Sequence, residues 1–229
     1  MTATDSTTGQ ALAAPEAMGP VDRVTAAIGL LGVLIAALLC GWLDLVEGGD
    51  ARGTTISGYV FTHPVTFTTA VLALIIGSIA VLAGLIRRGM TTMGHPGAWL
   101  MVLWTIGMTV VAIFPKHDWS VGPSFNGHLH RVGSLVAFVA LPLAVILLTR
   151  GAVRRGMGLL AHAALGLALA SCAYLGYLAL TIYAAGQDGV AWWRAVPLGL
   201  SERVLLLLEV GALAMLALGL LTRARPAPR

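Results

Sequence analysis

Charge is scarce in this chain: Asp, Glu, Lys and Arg together make up 10% of its 229 residues. A soluble domain carries nearer a quarter, so a water-facing shell around a core of this size is not available. Cysteine is scarce too, with two residues. Cys40 and Cys172 both fall inside apolar runs, where small packing residues are expected and a disulfide is not. Residues 1–20 contain no Lys or Arg, so the basic start of a secretory signal is missing there. That Thr-, Ala-, Gly- and Pro-containing stretch reads instead as a disordered cytoplasmic tail, assigned to residues 1–22.

What is abundant is apolar sequence: 58% of residues are hydrophobic and mean hydropathy is +0.88. A membrane-crossing helix needs about 20 predominantly apolar residues. Six stretches qualify, at 24–43, 66–86, 96–114, 132–149, 158–184 and 203–222. The predicted fold class is therefore all-α: a polytopic six-helix transmembrane bundle forming one membrane domain, 23–222, followed by a basic cytoplasmic tail, 223–229. Ala164, Gly166, Ala168 and Ala170 give span five the small-residue spacing of close helix contact.

The net charge of +4 does not mark a nucleic-acid binder, because the basic residues flank the apolar runs and form no single patch. Arg23, Arg87, Arg88, Arg150, Arg154, Arg155, Arg223, Arg225 and Arg229 fall on one side of the predicted topology. Arg52, Lys116, Arg131, Arg194 and Arg203 fall on the other. Nine against five predicts both termini in the cytoplasm by the positive-inside bias. The plasma membrane is the expected location and the lipid bilayer the expected partner. Oligomeric state has no signature in the sequence.

The densest chemistry lies between spans three and four, in Phe114-Pro115-Lys116-His117-Asp118-Trp119 and Asn126-Gly127-His128-Leu129-His130-Arg131. These eighteen residues hold three of the six histidines. Pro115 disfavours a helical Phe114 and so ends span three. Asp118 is a candidate partner for Lys116, Arg131 or Arg203. Extended backbone points His128 and His130 the same way, whereas a helix separates them by about 200°. Two imidazoles and a carboxylate are compatible with zinc, but no third helix-borne His and no HExxH spacing accompanies them, so no metal is expected. His95 and His162 form one pair near the cytoplasmic ends of spans three and five. Without a second pair no haem, and no other cofactor, is expected.

Span six opens with Ser201-Glu202-Arg203. Ser201 suits an N-cap, and Glu202 suits the positive end of the helix. Glu209 lies two turns further, roughly 10 Å deeper, where a carboxyl is costly and usually faces the bundle interior. Glu202 and Glu209 are seven apart and share a helix face. Trp119, Trp192 and Trp193 fit an interfacial aromatic belt or the wall of an outward-opening pocket. Tyr174, Tyr177 and Tyr183 fit packing or belt roles on the outer half of span five.

The order of these features resembles a known family: a first span, a loop carrying Ser57 and Tyr59, then Phe114-Pro115, Asp118, Gly127 and His130, and a last span opening with Glu202-Arg203. In this the chain is similar to the bacterial integral-membrane family catalogued as domain of unknown function 998, over roughly residues 24–222. One departure is the pair Lys116-His117 before Asp118, where the family commonly has one residue. The resemblance implies a six-helix membrane protein and no particular reaction.

Two functions follow from the residues. In the first, an outward-facing polar cleft binds or transports a small or lipidic ligand through Tyr59, Trp119, His128, Glu202 and Arg203. In the second, a membrane enzyme acts on a lipid or isoprenoid. Asp118 or Glu209 would then be the general acid and His130 the base, with aromatic rings shielding a cationic intermediate, as in a terpenoid cyclisation.

Overall fold

A computed structural model of the chain describes residues 19–48, 50–118 and 120–222. Of the tail expected at 1–22, residues 1–18 lie outside the described residues and residues 20–22 are already helical; the basic tail 223–229, with Arg223, Arg225 and Arg229, and the candidate site residue Trp119 also lie outside them. The chain forms α1 (Pro20–Glu47), a 3-10 turn (Ile56–Val60), α2 (Pro64–Arg87), α3 (Pro96–Ile113), α4 (Phe125–Arg154), α5 (Gly158–Gln187), the single-turn α6 (Trp192–Ala195) and α7 (Leu198–Thr222). Six of these helices, all but α6, are long and apolar enough to cross a membrane. Proline sits at the first helical position of α1, α2 and α3, where its fixed φ suits the helix and its missing N–H costs nothing.

The long helices form a ring in chain order. Each of α1 to α5 packs on the next, α7 closes the ring between α5 and α1, and α7 also leans across on α2 and α4. Short connections make sequential neighbours antiparallel. Backbones approach where small residues face each other. A Cβ on Gly107 of α3 would come within 2.7 Å of the Gly133 carbonyl oxygen of α4, the small-residue contact that lets membrane helices pack without a hydrophobic driving force. The interior is filled by Met101 and Trp104 of α3, Leu141 and Leu148 of α4, and Leu213, Leu216 and Leu220 of α7.

α5 is the least embedded span. Its buried residues are Ala161, Ala164, Ala168 and Ser171, one narrow stripe of small side chains. Gly166 and Ala170, which the small-residue spacing also included, are exposed. Cys40 on α1 and Cys172 on α5 are free thiols.

The largest boundary difference is at α4, which begins at Phe125 and not at 132. The Ser124 hydroxyl accepts the Gly127 N–H at 3.1 Å, and this N-cap carries the polar stretch 125–131 into the helix. His128 and His130 are therefore helical and diverge: His128 is exposed and His130 buried.

Candidate functional site

Two loops and the start of α7 meet on one face of the bundle. The segment from Asp44 to His63 is held chiefly by the Arg203 guanidinium. Arg203 Nε and Nη2 donate to both oxygens of Asp44, at 2.9 and 2.7 Å. Nη2 also donates to the Tyr59 hydroxyl at 2.9 Å. Nη1 donates to the carbonyls of Thr54 and Gly199 at 2.6 and 3.0 Å and to Ala51 at 3.2 Å. This is the forked carboxylate recognition that arginine geometry favours. Tyr59 donates its own proton to Asp44 at 2.8 Å. Burial, and then the Asp44 carboxylate, push the phenol up to about 12, so it remains a donor at any ordinary pH. The loop crosses α7 at Gly199, whose N–H bonds the Arg52 carbonyl at 3.0 Å. A Cβ there would lie 2.6 Å from the Ala51 oxygen.

Glu202 points from the same turn into the start of the 3-10 turn. Its Oε2 accepts the Ser57 N–H at 3.2 Å, and the Ile56 N–H also reaches it. One carboxylate thus serves the positive end of the 3-10 turn; because α7 already begins at Leu198, Ser201 is not its N-cap and Glu202 lies beyond its first turn. Lys116 joins the second loop to the first by donating to the Thr55 hydroxyl. Burial holds its ammonium below the ordinary lysine range, and Glu202 partly offsets that.

The second loop, 114–124, is organised mainly by itself. The His117 Nδ1 accepts the Ser124 N–H at 2.9 Å, and its ring lies edge-on to His128 with centroids 4.7 Å apart. Burial lowers the His117 pKa, with Arg131 the next cause. A Cβ on Gly127 would lie 2.6 Å from the His117 backbone nitrogen, so this first turn of α4 needs glycine. Asp118 is exposed and bonds its own turn, accepting the Ser120 N–H at 2.9 Å and its hydroxyl at 2.6 Å. The Ser120 hydroxyl and N–H hold the Asp118 carboxyl below its usual range. Pro115 has no N–H, so the Val111 carbonyl loses its helical donor. The His130 ring covers this helix end: its Nδ1–H donates to the Phe114 carbonyl at 2.8 Å, and the Val111 carbonyl reaches the ring as well.

Behind the loops lie two cavities that share Ser57, Ser134, Phe138 and Glu202 as wall residues. The inner one, of about 420 Å³, is enclosed by α1, α2, α3, α4 and α7. Glu209 lines it and accepts the Ser171 hydroxyl at 3.0 Å. The outer one, of about 980 Å³, lies between α4, the C-terminal half of α5 and α7, with Trp192 and Trp193 of α6 also lining it. Its walls are aliphatic, from Leu135, Val139, Leu175, Leu178, Ile182 and Leu205. Its polar end carries Lys116, His117, His130, Arg131 and Glu202. The Arg131 guanidinium sits 5.1 Å from the Trp192 ring centroid, a cation–π contact.

Of the residues singled out in the sequence, Tyr59 and Arg203 belong to the clamp, and Glu202 faces both cavities. His130 lines the outer cavity and Glu209 the inner one. Asp118 and His128 line neither. The expected pairing of Asp118 with Lys116, Arg131 or Arg203 is replaced by Asp118–Ser120, Lys116–Thr55 and Arg203–Asp44. His95 caps α3 by accepting the Gly97 N–H at 3.1 Å, and His162 bonds the Gly158 carbonyl of its own helix at 2.7 Å. Among the described residues no three His, Cys, Asp or Glu side chains are grouped to hold a metal. Sequence reasoning missed the central roles of Asp44 and Lys116. Asp44, an acid at the end of an apolar span, was the available signal, since such a group needs a partner.

Six apolar spans with a polar-ended cavity under one loop face define a multi-pass α-helical membrane protein. The chain belongs to the family described as protein of unknown function (DUF998), whose model matches residues 24–219. No curated protein and no solved structure matches it.

Proposed function

We propose that this protein binds a lipidic ligand in the outer cavity, with the ligand chain between α4 and α5 and its polar end beneath the 114–124 loop. The carrying observation is the form of that cavity: about 980 Å³ of space with aliphatic walls and its charged groups gathered at one end. A ligand pocket of several hundred Å³ lined by apolar side chains with a few placed polar groups is the usual form of a small-molecule site. α5, with its single buried stripe, presents little packing to fill the space. We place the cavity end outside the plasma membrane, with both termini cytoplasmic; the positive-inside bias of the full sequence supports this orientation.

The enzyme alternative has less support. General acid–base work needs its groups within hydrogen-bond reach of one substrate position, whereas Asp118 is at the surface and His130 and Glu209 line different cavities. The test is to fill the space. The unmodified chain is expected to co-purify with an endogenous lipid, and Ala179→Phe on the cavity wall is expected to abolish this with unchanged helicity. An identical lipid profile for the two would refute the binding reading. Changed cellular lipids on Asp118→Asn or Glu209→Gln would revive the enzyme.

A further inference from the structure

The polar end of the outer cavity has an uneven charge balance. Among the described residues, ion pairs join His63 to Glu47, Arg87 to Asp22 and Arg203 to Asp44. Neither Lys116 nor Arg131 takes part in one. Lys116 gives a hydrogen bond to a neutral hydroxyl, and Arg131 rests on an aromatic face. Glu202, the one carboxylate among the described residues lining this cavity, directs an oxygen to the Ser57 N–H and also meets the Ile56 N–H. Its charge is therefore already shared with the positive end of the 3-10 turn. Two cations thus line one end of an aliphatic cavity against a single anion among the described residues, which is shared between Lys116 and the 3-10 turn. Glu202 offsets Lys116 only in part, and Arg131 has no carboxylate beside it among the described lining residues, so a ligand anion would balance the remaining positive charge while its chain covers the aliphatic walls.

We infer that the ligand is an anionic amphiphile whose phosphate or carboxylate head is held between Lys116 and Arg131, with Trp192 backing the guanidinium. This rests on the binding reading above and adds the charge of the head to it. Arginine offers a planar fork to either oxyanion and lysine a point charge. His130 is a positioning residue in this site: bonded to the Phe114 carbonyl, it ties the start of α4, and with it Arg131, to the end of α3.

The experiment uses the full chain in phosphatidylcholine nanodiscs, with tryptophan fluorescence reporting through Trp192 and Trp193 at the cavity wall. The probes are decyl phosphate, decanoate, 1-decanol and inorganic phosphate, with empty nanodiscs subtracted. Decyl phosphate and decanoate are expected to bind at least tenfold more tightly than 1-decanol. Lys116→Gln and Arg131→Gln are each expected to weaken the two anions about tenfold and leave 1-decanol within twofold, which also shows that the variants remain folded. Lys116→Arg is expected to retain most of the affinity. Equal affinity for charged and neutral probes, in all variants, would overturn the anionic head and leave the lipid-binding reading standing. Inorganic phosphate binding as tightly as decyl phosphate would make the ligand a free anion and overturn the amphiphile. No binding of any probe, or binding unaffected by Ala179→Phe, would remove the cavity reading and the head with it.

Discussion

The two loops on the site face use similar residues to opposite ends. The segment from Asp44 to His63 is stitched to α7: Arg203 spends its donors on Asp44, Tyr59 and three carbonyls, and Glu202 caps the 3-10 turn. The 114–124 loop bonds mainly to itself and to the first turn of α4, and the cations Lys116 and Arg131 around it face a cavity. A buried or half-buried polar group is inexpensive when its partners are complete. The first loop therefore reads as architecture and the second as a surface whose partners come from elsewhere.

The sharpest way to break this contrast is Arg203→Met. Removing the guanidinium leaves a half-exposed Asp44 and three loop and helix carbonyls without their donor, at a cost of roughly 2 kcal/mol once solvent screening of Asp44 is allowed for. A large fall in the thermal unfolding midpoint in neutral detergent is expected, with partial recovery in Arg203→Lys, which keeps the charge and loses the fork. A midpoint unchanged in Arg203→Met would make the two loops equivalent.

Next is Gly127→Ala. The added methyl meets the His117 backbone and forces the second loop outward, at about 1–3 kcal/mol. Hydrogen exchange is expected to rise in 116–124 and not in 50–63. Glu202→Gln should cost about 1–2 kcal/mol by replacing a charged acceptor with a neutral one, and faster exchange at Ile56 and Ser57 would report it.

A smaller effect concerns pH. His117 has its pKa lowered by burial, so its neutral form is favoured in the docked loop. The docking it supports is complete above the ordinary histidine range and is lost as pH falls from there through the lowered value. Exchange in 118–124 is expected to be faster at pH 5.5 than at 7.5 in the wild type, and equal at both in His117→Gln. Exchange in 50–63 should respond to neither change. The least effect is expected from Asp118→Asn, since the carboxyl is exposed and bonds its own turn; the unfolding midpoint and probe affinities should match wild type.

All six spans were legible because bilayer thickness writes itself into run length. Their ends were less so: the start of α4 was hidden because Phe125–Arg131 is polar and reads as loop, and the N-cap at Ser124 outweighs that composition. Pro115 was read correctly as the end of a helix, but not the carbonyl it leaves for His130. Arg203 and Glu202 stood out as charges at a span end, yet Asp44 as the partner depends on α1 lying beside α7. That adjacency belongs to the closure of the ring and to no single segment.

That closure also sets an order of assembly. During synthesis the first five spans emerge without the helix that sits between α1 and α5, and Asp44 has no guanidinium until Arg203 has been translated, 159 residues later. The last span is therefore a keystone: α7 alone both latches the Asp44–His63 segment and completes the wall of each cavity.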